Sequence, residues 1–299
     1  ESTPDSIHVV EVSSFQLETV DTFRPWIALL LNVTTDHLDR HASYQEYTDA
    51  EPRICARQTE QDGAVVNARD PQTLELARRG RARWRQFALR AGANADITVA
   101  DGCVVERKDG GDTPLVRTSD VRLMGAHLMA DVLAAAAITR LAGARPGDIA
   151  AAVSAFRGLE HAMEWVDQID GVRYVNDSKA TNIDAARQAI ETFGAGLVVV
   201  MGGRYKGGDF GSLRDALVAR RATIVAIGEA GPLIRDALGA AVTVVDANSM
   251  AEAVGAARVA GTTGGTVLLA PACASFDMFV DYAERGRAFK AEVARLRTA

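Results

Sequence analysis

The sequence predicts an α/β protein with two domains, each built around a mostly parallel sheet. Short, nearly continuous apolar runs are typical of strands that are buried on both faces, and here each is followed by a polar stretch or a helical pattern. From Trp165 onward, strand-like and helix-like segments alternate regularly, as in a doubly wound parallel sheet. The length of 299 residues is enough for two hydrophobic cores.

The first half of the chain carries short elements. The predicted strands are at 7–12, 27–33 and 64–66, and the predicted helices begin at Pro71 and span 127–141 and 148–156. Residues 95–123 contain strand-like pieces broken by glycines, which indicates a meander or a loop-rich insert. The helix at 127–141 is alanine-rich and apolar almost all round, so we expect it to be buried against a sheet. We place the domain boundary after Gly158, which gives domains at 1–158 and 159–299.

The second half follows the pattern of a Rossmann-like domain. The predicted strands are at 172–175, 197–201, 224–227, 242–245 and 267–269, and the predicted helices are at 183–192, 213–220, 232–238, 250–260 and 276–296. In such sheets the ligand binds beyond the carboxyl ends of the strands. The residues directly after each strand are therefore the first candidates for a site.

Composition and charge argue against several classes of binding partner. The net charge of −6 and the absence of a basic stripe argue against a nucleic-acid platform. Three cysteines without disulfide or metal spacing fit a reducing cytoplasm, and no apolar run is long enough to span a membrane. We expect a cytoplasmic protein without a membrane or nucleic-acid partner, and the sequence leaves its oligomeric state open.

Three polar clusters follow three predicted strands of the second domain. They are Asn176–Asn182, Gly202–Phe210 and Ala270–Asp277. Taken singly, each has an ordinary explanation: Thr181 or Asn182 as a helix cap, the glycines as a surface turn, Ser275 as the cap of the helix predicted at 276. Because all three follow parallel strands, we expect them to meet in one crevice that binds an anion.

The first domain carries a carboxylate and an imidazole at two predicted strand ends. Glu11 ends the first predicted strand, and His37 lies in the polar stretch after the second. Together with waters they could hold a divalent cation such as Mg²⁺ beside phosphates. A histidine taken alone is more often a surface residue than a ligand.

Five sequence motifs of this chain closely resemble those of the Mur ligases, and within that family those of the D-glutamate-adding branch. The motifs are Glu11–Glu18, Asn32–His41, Asn176–Asn182, Gly202–Phe210 and Pro271–Gly286, and they occur in the same order as in the family across essentially the whole chain. The resemblance implies a partial ATPase-type α/β domain followed by a Rossmann-like domain. It further implies ATP-driven joining of D-glutamate to UDP-N-acetylmuramoyl-L-alanine through an acyl phosphate in peptidoglycan synthesis.

The resemblance also implies roles for individual residues. Mg²⁺ would be held by Glu11, His37 and Glu51; ATP would be contacted by Asn176, Asp177, Asp131 and His161; and D-glutamate would be received by Thr181, Lys206, Ser275 and Tyr282. Lys179 would face the reacting centre together with Glu11 and His37. Lysines and Mg²⁺ there would neutralise charge on the transferring phosphoryl group.

The sequence departs from the family pattern on the ATP side. No stretch reads Gly-x-x-x-x-Gly-Lys-Ser/Thr, so we expect a fragment or a truncated relative that is inactive alone. Glu51 stands where the family has a carbamylated lysine, and Pro52 after it should break the helix. Leu128 and Asp131 replace family asparagines, and Ala162 replaces an arginine.

Three other interpretations stay open at this stage. A non-catalytic descendant could bind an acidic amino acid or a partner ligase, since the changes gather at the contacts of one substrate. A plain Rossmann nucleotide binder is disfavoured because no Gly-x-Gly-x-x-Gly turn follows any predicted strand. A ligase that adds lysine or diaminopimelate is a closer rival, although the strings at 176–182 and 271–275 favour D-glutamate.

Overall fold

The computed structural model describes residues 2–3, 5–33, 41, 43–90, 95–108 and 110–297, apart from the side chain of Leu76. The described chain forms two compact units. The first comprises the described residues within 1–33, 37–115 and 133–149, and the second comprises 116–132 and the residues from 150 onward. The boundary that we predicted after Gly158 stays a prediction.

The first unit is built on a six-stranded sheet with the strand order β1-β2-β3-β4-β5-β6. The strands are β1 (Ile27–Leu30), β2 (Gly63–Asn67), β3 (Arg83–Ala88), β4 (Ile97–Ala100), β5 (Cys103–Lys108) and β6 (Gly111–Arg117). Strands β1 to β4 are parallel neighbours, whereas β5 runs antiparallel to β4. The last three strands are the meander that the glycines between 95 and 123 predicted.

The described helices of the first half are α1 (Ser14–Leu17), α2 (Tyr44–Ala50), α3 (Pro71–Ala77), α4 (Ala126–Leu141) and α5 (Pro146–Ala155). The last three agree with the sequence pattern, whereas no range was predicted for α1 or α2. Helix α4 buries five residues on two neighbouring turns, Val132, Leu133, Ala134, Ala136 and Ala137. Helix α2 ends at Ala50 and a 3₁₀ turn, Glu51–Cys55, begins there. This break confirms the effect expected of Pro52, which cannot donate a backbone hydrogen bond.

The predicted strand at 7–12 is wrong. Residues 6–13 have no regular secondary structure, and Ile7, Val9 and Val10 are exposed, Val9 by 97%. An apolar run becomes a strand only when another strand accepts its backbone hydrogen bonds. Among the described residues, β1 is the last strand of the sheet and pairs with β2 only. The segment at 7–12 therefore has the composition of a strand, but no described strand pairs with it, and it stays irregular.

The second unit is built on a sheet with the order β11-β10-β9-β12-β8-β7. Its strands are β7 (Glu164–Ile169), β8 (Val172–Asn176), β9 (Leu197–Gly202), β10 (Thr223–Ile227), β11 (Thr243–Ala247) and β12 (Thr266–Leu269). Strands β8 to β12 are parallel, which confirms the predicted doubly wound sheet. The helices are α6 (Ile183–Glu191), α7 (Arg214–Ala219), α8 (Gly231–Leu238), α9 (Met250–Ala260) and α10 (Tyr282–Arg295).

Both faces of this second sheet are buried. Along β9, Val199 and Met201 belong to one apolar cluster, and Val198 and Val200 belong to another on the opposite face. Helix α6 contributes to the first cluster and α9 to the second. Two-sided burial explains why the strands of this domain are continuous apolar runs in the sequence.

Two elements of the second unit differ from the prediction. Strand β7 was not predicted; it runs antiparallel to β8 at the edge of the sheet, and the polar residues Asp167 and Gln168 interrupt its apolar pattern. Helix α10 begins at Tyr282 rather than at 276, because the Asp281 side chain caps it by accepting from the Glu284 N–H. Ser275 accepts backbone hydrogen bonds from Met278 and Phe279 in a turn that does not continue into the helix. Ser275 is therefore not the cap of a helix at 276.

The three cysteines are free thiols. Cys55 and Cys273 are buried, and burial raises the pKa of these thiols to about 11 and about 12. Cys103, at the start of β5, is partly exposed. Among the described helices, none has both the length and the apolar character needed to cross a membrane.

Candidate active site

The site candidate of the second unit lies where β8, β12 and β9 end side by side. Backbone hydrogen bonds join the loops that follow these strands: Asp177 N–H to Leu269 O (2.9 Å), Gly202 N–H to Pro271 O (2.9 Å) and Ala272 N–H to Ala180 O (3.0 Å). The three polar clusters singled out in the sequence are therefore adjacent, as expected from parallel strands.

Two glycines after β9 are required by the packing of the backbone itself. Gly202 and Gly203 have φ angles of 131° and 132°, in the region that favours glycine. A Cβ atom at Gly203 would lie 2.2 Å from the Ala274 carbonyl oxygen, and one at Gly202 would lie 1.9 Å from that of Ile227. These glycines let the loop after β9 lie against the ends of β10 and β12.

Arg285 of α10 holds two of these loops together, and sequence reasoning missed it. The guanidinium is 1% exposed and donates to the Ser178 carbonyl (2.9 Å), to Ser178 Oγ (2.9 Å) and to the Cys273 carbonyl (3.1 Å). Burial lowers its pKa to about 10. A signal was present, because Arg285 stands four residues before the buried Phe289 and so occupies the buried stripe of the helix.

Asp177 and Lys179 occupy the loop between β8 and α6. The Asp177 carboxylate is buried and accepts from the Met163 N–H at 3.1 Å. Burial raises its pKa to about 7, although that hydrogen bond and the Lys179 charge favour the ionised form. Lys179 is exposed, and its backbone N–H donates to the His161 carbonyl at 3.0 Å. A buried carboxyl group next to an accessible ammonium group is a usual arrangement of catalytic sites.

Asn176 and His161 lie in one buried polar network. The Asn176 amide donates to Glu164 Oε2 and to His161 Nδ1, both at 2.9 Å, and its oxygen accepts from the Ser178 N–H. Lys290 binds Glu164 Oε1 at 2.8 Å. The hydrogen bonds described for Asn176 are thus all made to other groups of the protein. The ATP contacts assigned to Asn176 and His161 stay predictions.

The residues assigned to D-glutamate lie on the same loops. Thr181 precedes α6, Ser275 is buried, and Lys206 is near enough to Cys273 for its charge to lower the pKa of that thiol. Tyr282, at the first turn of α10, is 40% exposed, and its carbonyl accepts from Ser178 Oγ at 2.7 Å. Asp131 on α4, which the sequence assigned to ATP, has a pKa raised to about 6 by desolvation, with the Lys179 charge opposing the rise.

The Mg²⁺ ligands predicted in the first unit are only partly described. His37 lies outside the described residues, and Glu11 is exposed. Glu51 is half-buried; burial raises its pKa, while a hydrogen bond from Tyr47 and the charge of His41 lower it. A desolvated carboxylate fits a divalent cation, because the cation offsets the cost of burying the charge.

A mostly parallel sheet followed by a doubly wound sheet, whose central strands end in adjacent polar loops, is the architecture of α/β enzymes that bind small ligands. Residues 4–139 match the Mur ligase middle domain, and residues 161–273 match the Mur ligase glutamate ligase domain. The chain belongs to the Mur ligase family, as the sequence motifs predicted.

Similar proteins support this family. The chain is 42% identical over 292 residues to a UDP-N-acetylmuramoylalanine–D-glutamate ligase of Acidobacterium capsulatum, covering 97% of this chain and 63% of the relative. It is 41% identical over 288 residues to one of Geotalea uraniireducens, covering 96% and 63%. The chain thus spans less than two thirds of the length of these relatives.

Solved structures show the same fold. A crystal structure of MurF from Acinetobacter baumannii has a TM-score of 0.69 at 18% identity, covering 96% of this chain and 62% of that chain. MurF from Thermotoga maritima in complex with ADP has a TM-score of 0.64 at 15% identity, covering 91% and 63%. At such low identities the likeness concerns the fold alone.

Proposed function

We propose that this chain takes part in the ATP-dependent joining of D-glutamate to UDP-N-acetylmuramoyl-L-alanine in peptidoglycan synthesis. One observation carries the proposal: relatives named for this reaction are 41–42% identical over 96–97% of the chain. That similarity does not favour a non-catalytic descendant. A cytoplasmic location is part of the proposal, since three free cysteines fit a reducing compartment.

The chemistry explains why such a site needs cations. A carboxylate is a poor electrophile, so the terminal phosphoryl group of ATP passes to the alanine carboxylate and gives an acyl phosphate. The neutral amine of D-glutamate then attacks the acyl carbon, the nitrogen gives up a proton as the amide bond forms, and phosphate leaves with the electron pair of the broken C–O bond. Negative charge collects on the phosphoryl oxygens and on the tetrahedral intermediate.

We assign the charge-neutralising role to Lys179, because its exposed ammonium group follows β8 at the shared ends of the central strands. We assign Mg²⁺ binding to Glu11, His37 and Glu51; the ion would polarise the phosphoryl oxygens. Asp177, Asn176, Asp131 and His161 are assigned to the ATP side.

For D-glutamate we assign Lys206 as the clamp of a substrate carboxylate, with Thr181, Ser275 and Tyr282 around it. Support comes from their positions on loops that hydrogen bonds and Arg285 hold together. A lysine ammonium group binds a carboxylate through a charge-assisted hydrogen bond.

The test is calorimetric titration of the chain with D-glutamate and with L-glutamate. We expect D-glutamate to bind more tightly, and Lys206→Gln to weaken that binding by about tenfold or more, since hydrogen bonds to charged groups contribute about 1.5–3 kcal/mol. The matched control is Arg295→Gln, an exposed cation on α10, which should bind as the wild type does. Equal affinity for the two enantiomers, or unchanged binding by a folded Lys206→Gln protein, would refute the assignment.

A further inference from the structure

Three side chains of the first unit lie close together and could act as metal ligands. None of the three is among the Mg²⁺ ligands assigned above. Glu18 directly follows α1, His41 precedes α2, and Glu46 lies in the first turn of α2. One ligand atom of each lies within 4.8 Å of the other two. The distance from His41 Nδ1 to Glu18 Oε1 is 3.1 Å. Two ligands at about 2.0–2.2 Å from one tetrahedral ion lie roughly 3.3–3.6 Å apart, so a small movement of the Glu18 carboxylate would let both atoms share an ion.

The buried imidazole of His41 points to a cation at this place. The side chain is fully buried, and its Nε2 lies 2.8 Å from the buried hydroxyl of Ser14. Within the part of the chain that the structure describes, Nδ1 is buried and forms no hydrogen bond. Glu18 Oε1 is close to it, but the approach does not have hydrogen-bond geometry. A buried polar atom left in this way destabilises the folded chain.

The contact with Ser14 suits a metal-binding histidine. When Nε2–H donates to Ser14 Oγ, the lone pair of Nδ1 faces the Glu18 carboxylate, and two electron-rich atoms at 3.1 Å repel each other. A cation between them turns the repulsion into two coordination bonds. Metal-bound histidines ordinarily use their second ring nitrogen in a hydrogen bond of this kind, which fixes the tautomer and the ring orientation.

We propose that Glu18, His41 and Glu46 form a binding site for Zn²⁺ or a similar transition-metal ion that links α1 to α2. One imidazole nitrogen and two carboxylate oxygens suit such ions, whereas Mg²⁺ prefers oxygen ligands alone and keeps much of its water. A surface pocket of about 500 Å³, which Glu18, Glu46 and Asp49 help to line, gives the ion an entry path and leaves room for a water ligand.

The experiment is calorimetric titration of the metal-free chain with Zn²⁺, with and without an excess of Mg²⁺. We expect one Zn²⁺ per chain, a raised melting temperature on binding, and no displacement by Mg²⁺. Glu46→Gln and Glu18→Gln should each weaken Zn²⁺ binding by at least about tenfold. The matched control is Glu75→Gln, which removes an exposed carboxylate from α3 and should leave the affinity unchanged.

Glu46 is exposed, so its variant tests the site even if changes at the buried His41 prevent folding. Co²⁺ offers a second readout: its visible absorption should show a nitrogen ligand in the wild type and change in Glu46→Gln. Equal Zn²⁺ affinity of the wild type and the Glu18→Gln/Glu46→Gln double variant would overturn the proposal. So would the absence of Zn²⁺ binding, or its displacement by Mg²⁺ at a similar concentration. None of these outcomes depends on D-glutamate binding.

Discussion

At the scale of single residues, Asp177 shows how burial and a nearby cation compete. The carboxyl group lies in a buried loop and accepts one backbone hydrogen bond, from Met163. Lys179, two residues on, favours the ionised form, yet burial has the larger effect and raises the pKa to about 7. The group therefore changes charge near neutral pH, where a small shift in its surroundings decides its state.

This pKa predicts a pH dependence of stability. Between pH 4 and pH 7 the folded chain keeps a proton on Asp177 that the unfolded chain releases near the ordinary value of 3.8. Since the folded state binds more protons there, the free energy of unfolding falls as the pH rises, by up to about 1.4 kcal/mol per pH unit. In Asp177→Asn, whose oxygen can still accept from Met163, this slope should be lost.

Urea unfolding at a series of pH values measures that slope. The control is Asp236→Asn, which removes an exposed carboxyl group from α8. An unchanged pH profile in Asp177→Asn would show that the carboxyl group titrates as it does in the unfolded chain.

Residues after strands could be found from the sequence, whereas residues that act across the fold could not. Asp177, Lys179 and Lys206 follow predicted strands, so local pattern was enough to place them on adjacent loops. Arg285 meets Ser178 across 107 positions of the chain, and His41 meets Ser14 across 27. Such pairs depend on how helices dock onto the sheet, which the local pattern does not specify.

At the scale of elements, helix α10 packs closely against the buried imidazole ring of His161. A Cβ atom at Gly286 would lie 2.3 Å from His161 Nδ1, and the ring is held by Asn176. By contrast, a Cβ atom at Gly255 in α9 would meet nothing within 4 Å. The two helical glycines thus have opposite environments.

Alanine at these two glycines should have opposite effects. Gly286→Ala should lower the free energy of unfolding by up to about 2 kcal/mol, because crowding of the ring costs about 1–3 kcal/mol and the gain in helix propensity offsets only about 1 kcal/mol. Gly255→Ala should raise it by about 0.5–1 kcal/mol. Chemical denaturation of both variants checks the pair, and a stabilised Gly286→Ala protein would contradict the packing argument.

Element types were predicted better than element ends. The parallel strands of the second sheet follow from apolar runs that are buried on both faces, such as the run at 197–201. The start of α10 was misplaced because Ser275 and Asp281 can both cap a helix, and only the fold selects Asp281. The strand predicted at 7–12 failed because a strand needs a partner, which its own composition cannot supply.

At the scale of the whole molecule, the outer edge of the first sheet predicts self-association. Within the described residues, β1 is hydrogen-bonded to β2 alone, so its other edge presents unpaired backbone groups, which promote pairing between chains. We expect the average mass in sedimentation to rise with concentration. Leu29→Lys, which places a charge on β1, should reduce this rise, whereas Val259→Lys on the exposed face of α9 should not. A monomer at all concentrations would contradict the prediction.

The burial of two cysteines has a practical consequence for labelling. Alkylating reagents attack the thiolate, and the raised pKa values of Cys55 and Cys273 keep both thiols protonated and shielded at neutral pH. A maleimide dye added to the folded wild-type chain should therefore attach at Cys103. The meander of the first sheet can then carry a fluorescent reporter without any substitution. The slow labelling rates of the other two thiols would measure how fast each hydrophobic core opens.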